Sequence, residues 1–253
     1  MAASEPTKRV LAFRSGGHCA FDGCGASLVE NERGGSPAIT LGQAAHIRGE
    51  RPEAARYDIN MTDAQRDAVD NLIYLCPTHH VVIDAQRAAY PSVDLYRMKA
   101  NHEARMAAAQ LRAAVETIAQ VGFAELKVLL DGIIEATQNS TSDLSLVPLE
   151  EKLQINLLSA ITRQKVALGL ARANDVGAYL QGPGVPSGAS ETVVARFKDE
   201  YRRLRSDGYD PDAIFDALHI FASLGSVEIR YQTAGLAVVV YLFERCEIFE
   251  TAA

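Results

Sequence analysis

No run of about eighteen apolar residues, the minimum for a membrane-spanning helix, occurs in this 253-residue sequence. The strongest apolar run, Leu236 to Phe243, is too short to span a bilayer. The first nine residues, Met1 to Arg9, lack the apolar core of a secretory signal, and the expected location is cytoplasmic, with no membrane partner. Cysteine is scarce: Cys19, Cys24 and Cys76 fall in the first third, and Cys246 stands alone near the end. Such unequal grouping argues against a disulfide framework and for one metal site plus an isolated thiol. Positive charge is also in short supply, the formal net charge being -7. An acidic chain is poorly suited to tight, unspecific binding of nucleic acid by itself. The deficit is uneven. Residues 1–120 carry 13 basic against 14 acidic side chains, and residues 121–253 carry 12 against 18. No internal repeat is visible, and nothing resembles a helix-turn-helix reader of base sequence.

What is present is the composition of a folded protein, 48% apolar and 23% charged. The length fits one large domain or two small ones. Residues 38–46 predict a short strand ending at His46, and residues 71–76 a second. Thr62 caps a short helix from Asp63 to Val69. Pro77 suits the first turn of a helix running to about Gln86. Helical patterning continues over 91–120 and 122–137. A polar Ser/Thr-rich stretch, 138–148, is the strongest internal break. Beyond it, helices are expected over 149–161, 162–180, 191–204 and 211–224. Residues 227–231 and 236–243 are rich in β-branched and aromatic side chains and predict a closing β-hairpin. The expected organisation is a domain over 1–120, a helix and linker over 121–148, and a mainly helical domain over 149–253.

Two close pairs carry soft ligands. Cys19-x4-Cys24 is a knuckle with glycines at 23 and 25, which allow a tight turn. Cys76-x2-His79 opens the helix that begins at Pro77. Together they predict a closed tetrahedral Cys3His zinc site. All four positions are filled by protein, so this zinc is structural and not catalytic. His80 follows at once. Adjacent residues on a helix point about 100° apart, so His80 is available for a different task. Asp84 lies four residues on, along the same face as His80, and a His/Asp pair at that spacing can grip a divalent ion.

The pattern "AAHIRG … DNLIYLCPTHHVVID" resembles the HNH (ββα-metal) endonucleases over about residues 10–105. The resemblance implies an α+β fold: a zinc-stabilised ββα-metal nuclease domain, here followed by a mainly helical domain ending in the hairpin. It implies His46 as the general base, Asn71 as the residue fixing its ring, and His80 as ligand of the catalytic ion. Asp84 joins His80, and Mg²⁺ or Mn²⁺ is the expected ion, although imidazole ligation equally suits Ni²⁺ or Zn²⁺. Many family members carry a metal ligand just before the base, where this chain has Ala45. Asp58 and Asp70 are the acids considered as replacements. Arg48, Arg51 and Arg56 are the expected phosphate contacts, with Arg87 and Arg97 behind them. Contact with the nucleic-acid backbone implies low sequence specificity.

The second half contains no catalytic constellation. His219, among Ala217, Leu218, Ile220 and Phe221, reads as a satisfied core histidine, and Cys246 as a buried thiol. The segments "PLEEKLQINLLS", "YDPDAIFDALHIFAS" and "YLFERCEIFE" are similar to the C-terminal adaptor domain of effectors in bacterial ABC-three-component defence systems. That resemblance implies partners: an SMC-like ABC ATPase and a small middle component. The resulting expectation is a DNA-cutting effector against phage or plasmid, acting on duplex DNA and plausible as a homodimer. Single strands and RNA stay open as substrates. A non-catalytic nucleic-acid-binding module and a stand-alone restriction-like nuclease are the alternatives.

Overall fold

The computed structural model describes residues 3–135, 149–245 and 248–249. It divides into two units, Met1–Gln110 and Leu111–Ala253. The division falls inside one helix, Ser92–Ile118. The 138–148 stretch read as a linker, and Cys246, lie outside the described residues.

In the first unit, α1 (Glu5–Arg14) is started by Ser4, whose hydroxyl accepts from the Thr7 amide. Its buried Val10 and Leu11 pack toward β4 (Leu72–Leu75). A small antiparallel pair, β1 (Val29–Glu30) and β2 (Ile39–Thr40), precedes β3 (Gln43–His46). The single strand expected over 38–46 is thus broken after Thr40. Gly42 explains the break: a Cβ there would lie 1.9 Å from Cζ of Tyr74, so the chain passes over that ring with no room for a side chain. β3 pairs antiparallel with β4, Gln43 opposite Leu75 and His46 opposite Leu72. Ala45 points into the core, and every residue of β4 is buried.

Two short elements connect these strands. α2 (Asp63–Asp67) opens on a full capping box, Thr62 and Gln65 each bonding the other's backbone amide. A 3-10 turn, Val69–Asn71, follows. After β4 the chain enters α3 (Pro77–Ala85) with Cys76 as its cap and Pro77 at its first position. α4 is the helix Ser92–Ile118. Leu11, Ile47, Leu72, Ile73, Leu75, Ile83 and Leu95 form the buried core between these elements.

The second unit is helical: α5 (Phe123–Glu135), α6 (Leu149–Ile155), α7 (Ala160–Leu180), α8 (Ala189–Ser206), α9 (Pro211–Ala222) and α10 (Ile229–Arg245). The expected β-hairpin over 227–231 and 236–243 is not formed: both segments lie within or just before one helix, α10. The physical reason is burial. Every residue from Thr233 to Phe243 is buried, with α5, α7 and α9 packed around the helix. A stretch covered on all sides needs no polar stripe, and Leu236 to Phe243 is apolar or aromatic throughout, a run that reads equally as a buried strand. Val238, Val239 and Val240 each cost a few tenths of a kcal/mol in helix propensity. Burying each contributes about 1.5–3 kcal/mol, so packing decides. Gly169 and Gly235 permit the close approach, since added Cβ atoms would lie 2.5 Å from Val240 and 2.2 Å from the Ser223 hydroxyl. At the other end, the buried Lys152 ammonium donates to the Phe243 carbonyl at 2.7 Å, satisfying an acceptor in the last turn of α10.

His219 is buried, as its apolar neighbours predict, with Nε2 2.7 Å from the Gln232 carbonyl. Burial holds its pKa down to about 4 from an ordinary 6.5. Its neutral form is therefore favoured by folding. In the window between these values the unfolded state binds more protons, so stability is full above about pH 6.5 and falls as pH drops toward 4. The expected loss is about 3 kcal/mol. Urea midpoints across this range check it: the parent should fall more steeply than His219→Gln, and parallel curves would contradict it.

Candidate metal centre

Cys19, Cys24, Cys76 and His79 converge, their ligand atoms all lying within 4.8 Å of one another. Local structure places each. Cys19 and Cys24 sit on a knuckle closed by Cys19 N–H to the Ala26 carbonyl (2.9 Å) and Cys24 N–H to the Phe21 carbonyl (3.0 Å). Gly23 and Gly25 hold positive φ of 80° and 57°, which a side chain would resist. The Ala20 amide donates to the Tyr74 carbonyl (2.8 Å), fastening the knuckle to β4. Cys76 and His79 occupy the cap and first turn of α3, with His79 Nδ1 3.1 Å from Cys76 Sγ and 3.8 Å from Cys19 Sγ. Phe21 stacks on the His79 ring at 3.9 Å and fixes its plane.

This donor set fits zinc. Tetrahedral Zn–S bonds of about 2.3 Å put neighbouring ligand atoms roughly 3.8 Å apart, close to the spacing here. Burial pushes the Cys19 thiol up to about 11, so an ion-free thiolate would be costly there. A bound dication reverses that preference and keeps the ligand deprotonated. The cluster could hold a metal ion such as zinc.

The next histidine turns elsewhere. His80 Nδ1 lies 2.7 Å from Gln43 Oε1 on β3, and its Nε2 lies 3.5 Å from Asp84 Oδ2. Burial alone would push the Asp84 carboxyl up, but bonds from His80 and Arg56 outweigh it and hold it below the usual range. Among the described residues, no second group of three or more His, Cys, Asp or Glu side chains gathers as the zinc-type cluster does. His80 and Asp84 therefore stand as a pair. Asp58 and Asp70, considered as further ligands, are placed otherwise: Asp58 bonds Arg48, and Asp70 faces Arg14 at 3.8 Å.

His46 ends β3, with 17% of its side chain exposed. Its Nε2 lies 3.2 Å from Asp67 Oδ1. The expected bond from Asn71 to this ring is replaced. Asn71 Oδ1 accepts from the Arg48 amide (3.0 Å) and the Tyr96 hydroxyl (2.8 Å), while Nδ2 donates to the Arg48 and Arg66 carbonyls (2.9 Å each). Both lone pairs and both protons of the amide are thereby used. Asn71 sits at the end of the 3-10 turn, which aims it at backbone instead of at the imidazole.

The arginines separate. Arg51 is exposed and Arg48 partly so, paired with Asp58. Arg56 is only 7% exposed and donates to the Ile47 and Ile83 carbonyls and to Asp84. Its guanidinium, expected to meet phosphate, is instead engaged in these three bonds. Asp67, Gln43 and Tyr96 are members of this polar group that sequence reasoning did not assign. None has a spacing that marks it, because each reaches the site through tertiary packing.

The chain thus joins a small unit of mixed helices and antiparallel strands, containing a Cys3His cluster, to a helical unit. Residues 124–250, half of the chain, match the family described as C-terminal domain 10 of the ABC-three component (ABC-3C) systems, and the chain belongs to that family. The match links it to ABC-three-component defence systems, whose membership implies partner components. No curated protein matches the chain. Among the described residues, no helix is long and apolar enough to cross a membrane.

Proposed function

We propose that the first unit is a divalent-metal-dependent endonuclease of the HNH (ββα-metal) kind, and that the chain is the DNA-cutting effector of an ABC-three-component defence system. The observation that carries this reading is one continuous arrangement: an antiparallel pair, β3 and β4, leads directly into α3. It bears His46 at the end of the first strand and the His80/Asp84 pair on the helix. The chemistry follows from these groups. His46 is a partly shielded imidazole of the kind that can take a proton from an attacking water. His80 and Asp84 would hold a Mg²⁺ or Mn²⁺ ion, which would supply Lewis-acid chemistry at a phosphate. Arg48 and Arg51 are the side chains available to steady the nucleic-acid backbone. Contacts of that kind give low sequence specificity, and duplex DNA is the proposed substrate.

The acidic balance of the chain supports restraint by partners. A net charge of -7 disfavours capture of DNA by the chain alone. Recruitment through the helical unit by an SMC-like ATPase and a small middle component would supply what the surface lacks.

A second reading, a zinc-organised nucleic-acid-binding module without catalysis, is favoured by the bond between Arg56 and Asp84, which neutralises part of the ligand pair. Incubation of the purified chain with supercoiled plasmid in Mg²⁺, Mn²⁺ or EDTA separates the two. Metal-dependent nicking, weak for the chain alone and stronger with its partners, is the expected result. Binding with no nicking under any of these conditions supports the second reading. Parallel incubations with single-stranded DNA and RNA fix the substrate.

A further inference from the structure

We propose that Asp67 is the positioning residue for His46, holding the ring with its proton on Nε2 and leaving Nδ1 as the basic nitrogen. This inference rests on the nuclease reading of His46. Its physical core is the direction of one bond. An ionised carboxylate can only accept, so the 3.2 Å contact between Asp67 Oδ1 and His46 Nε2 requires the proton on Nε2. In a neutral imidazole the other nitrogen then carries the lone pair.

The surroundings hold this pair in place. Side-chain exposures of 17% for His46 and 26% for Asp67 shelter the bond while leaving the ring reachable. The buried Asn71 amide ties together the two segments that carry them. It bonds both backbone groups of Arg48, two residues beyond His46, and the carbonyl of Arg66, the residue before Asp67. The Ile47 amide adds a bond to the Asn71 carbonyl at 2.8 Å. α2 is fixed again by Arg66, a buried guanidinium that donates to Asp63, the Tyr57 hydroxyl and the Asp58 carbonyl. Among the described residues, Asp67 is the one hydrogen-bond partner of the His46 ring. The orienting task expected of Asn71 is thereby divided: Asn71 sets the backbone, and Asp67 sets the ring.

The test compares the zinc-loaded full chain with Asp67→Asn, which is nearly isosteric, and with Asp67→Ala. Long-range ¹H–¹⁵N correlation of the His46 ring, recorded at about pH 8 so that an ordinary imidazole is neutral, reports the tautomer directly. The parent should show the proton on Nε2. Asp67→Asn should lose that preference, because its amide can donate to a bare Nε2. In the nicking assay kcat should fall about 10–100-fold in both variants with KM little changed. The same tautomer in parent and both variants would overturn the assignment. If the tautomer shifts while His46→Ala cuts like the parent, the positioning role stands and the nuclease reading falls.

Discussion

His46→Ala is expected to lower the rate of DNA cleavage by about 10²–10⁴-fold, the range contributed by a positioned general base. The loss should fall on kcat, because an imidazole that takes a proton only as the bond breaks adds little to ground-state binding. The substitution is mild for the fold. His46 is a partly exposed residue at a strand end, and its ring has Asp67 as its bonded partner among the described residues. The neighbours that fix the strand, Ala45 and Ile47, are buried and stay. Zinc content and melting temperature should therefore match the parent while nicking collapses. A variant cutting within about twofold of the parent would remove His46 from the reaction.

Cys24→Ala is expected to release zinc and unfold the first unit. Structural zinc of this kind contributes about 10–16 kcal/mol of apparent folding free energy, against a total stability of about 5–15 kcal/mol for a typical domain. The centre joins residues sixty positions apart in sequence, from Cys19 to His79. Without it, the knuckle keeps only its few backbone bonds, and the buried Cys19 thiol loses its cation. The second unit has its own core around α10 and contains none of these ligands. Hydrogen exchange should accelerate across α1, β3, β4 and α3 and stay slow in α7, α9 and α10. Stoichiometric zinc retained by Cys24→Ala, with native protection in the first unit, would contradict this.

Much of the site can be read before the fold is known, because metal ligands must be few, soft and closely spaced. Cys19, Cys24, Cys76 and His79 are marked by type and interval alone, and they converge. Pro77 and Thr62 mark helix starts for local reasons, and both helices begin there. What was illegible depends on distant packing. α10 carries β-favouring residues yet is helical, since its neighbours bury it all round and packing outweighs propensity. Asp67 and Gln43 face histidines 21 and 37 residues away. Arg56 looks like a surface cation in sequence, but bonds to the Ile47 and Ile83 carbonyls and to Asp84 turn it inward. Asn71 reads in sequence as fixing the His46 ring, but its amide is taken up by the Arg48 backbone, the Arg66 carbonyl and the Tyr96 hydroxyl, partners that no sequence interval marks.

The proposal that adjacent histidines on α3 serve separate centres is tested most directly by measuring zinc content and plasmid nicking side by side in His79→Ala and His80→Ala. His79→Ala should lose its zinc. His80→Ala should keep one zinc per chain, fold as the parent does, and fail to cut. Zinc lost from His80→Ala, or cutting by His80→Ala at the parent's rate, would contradict two centres on one helix.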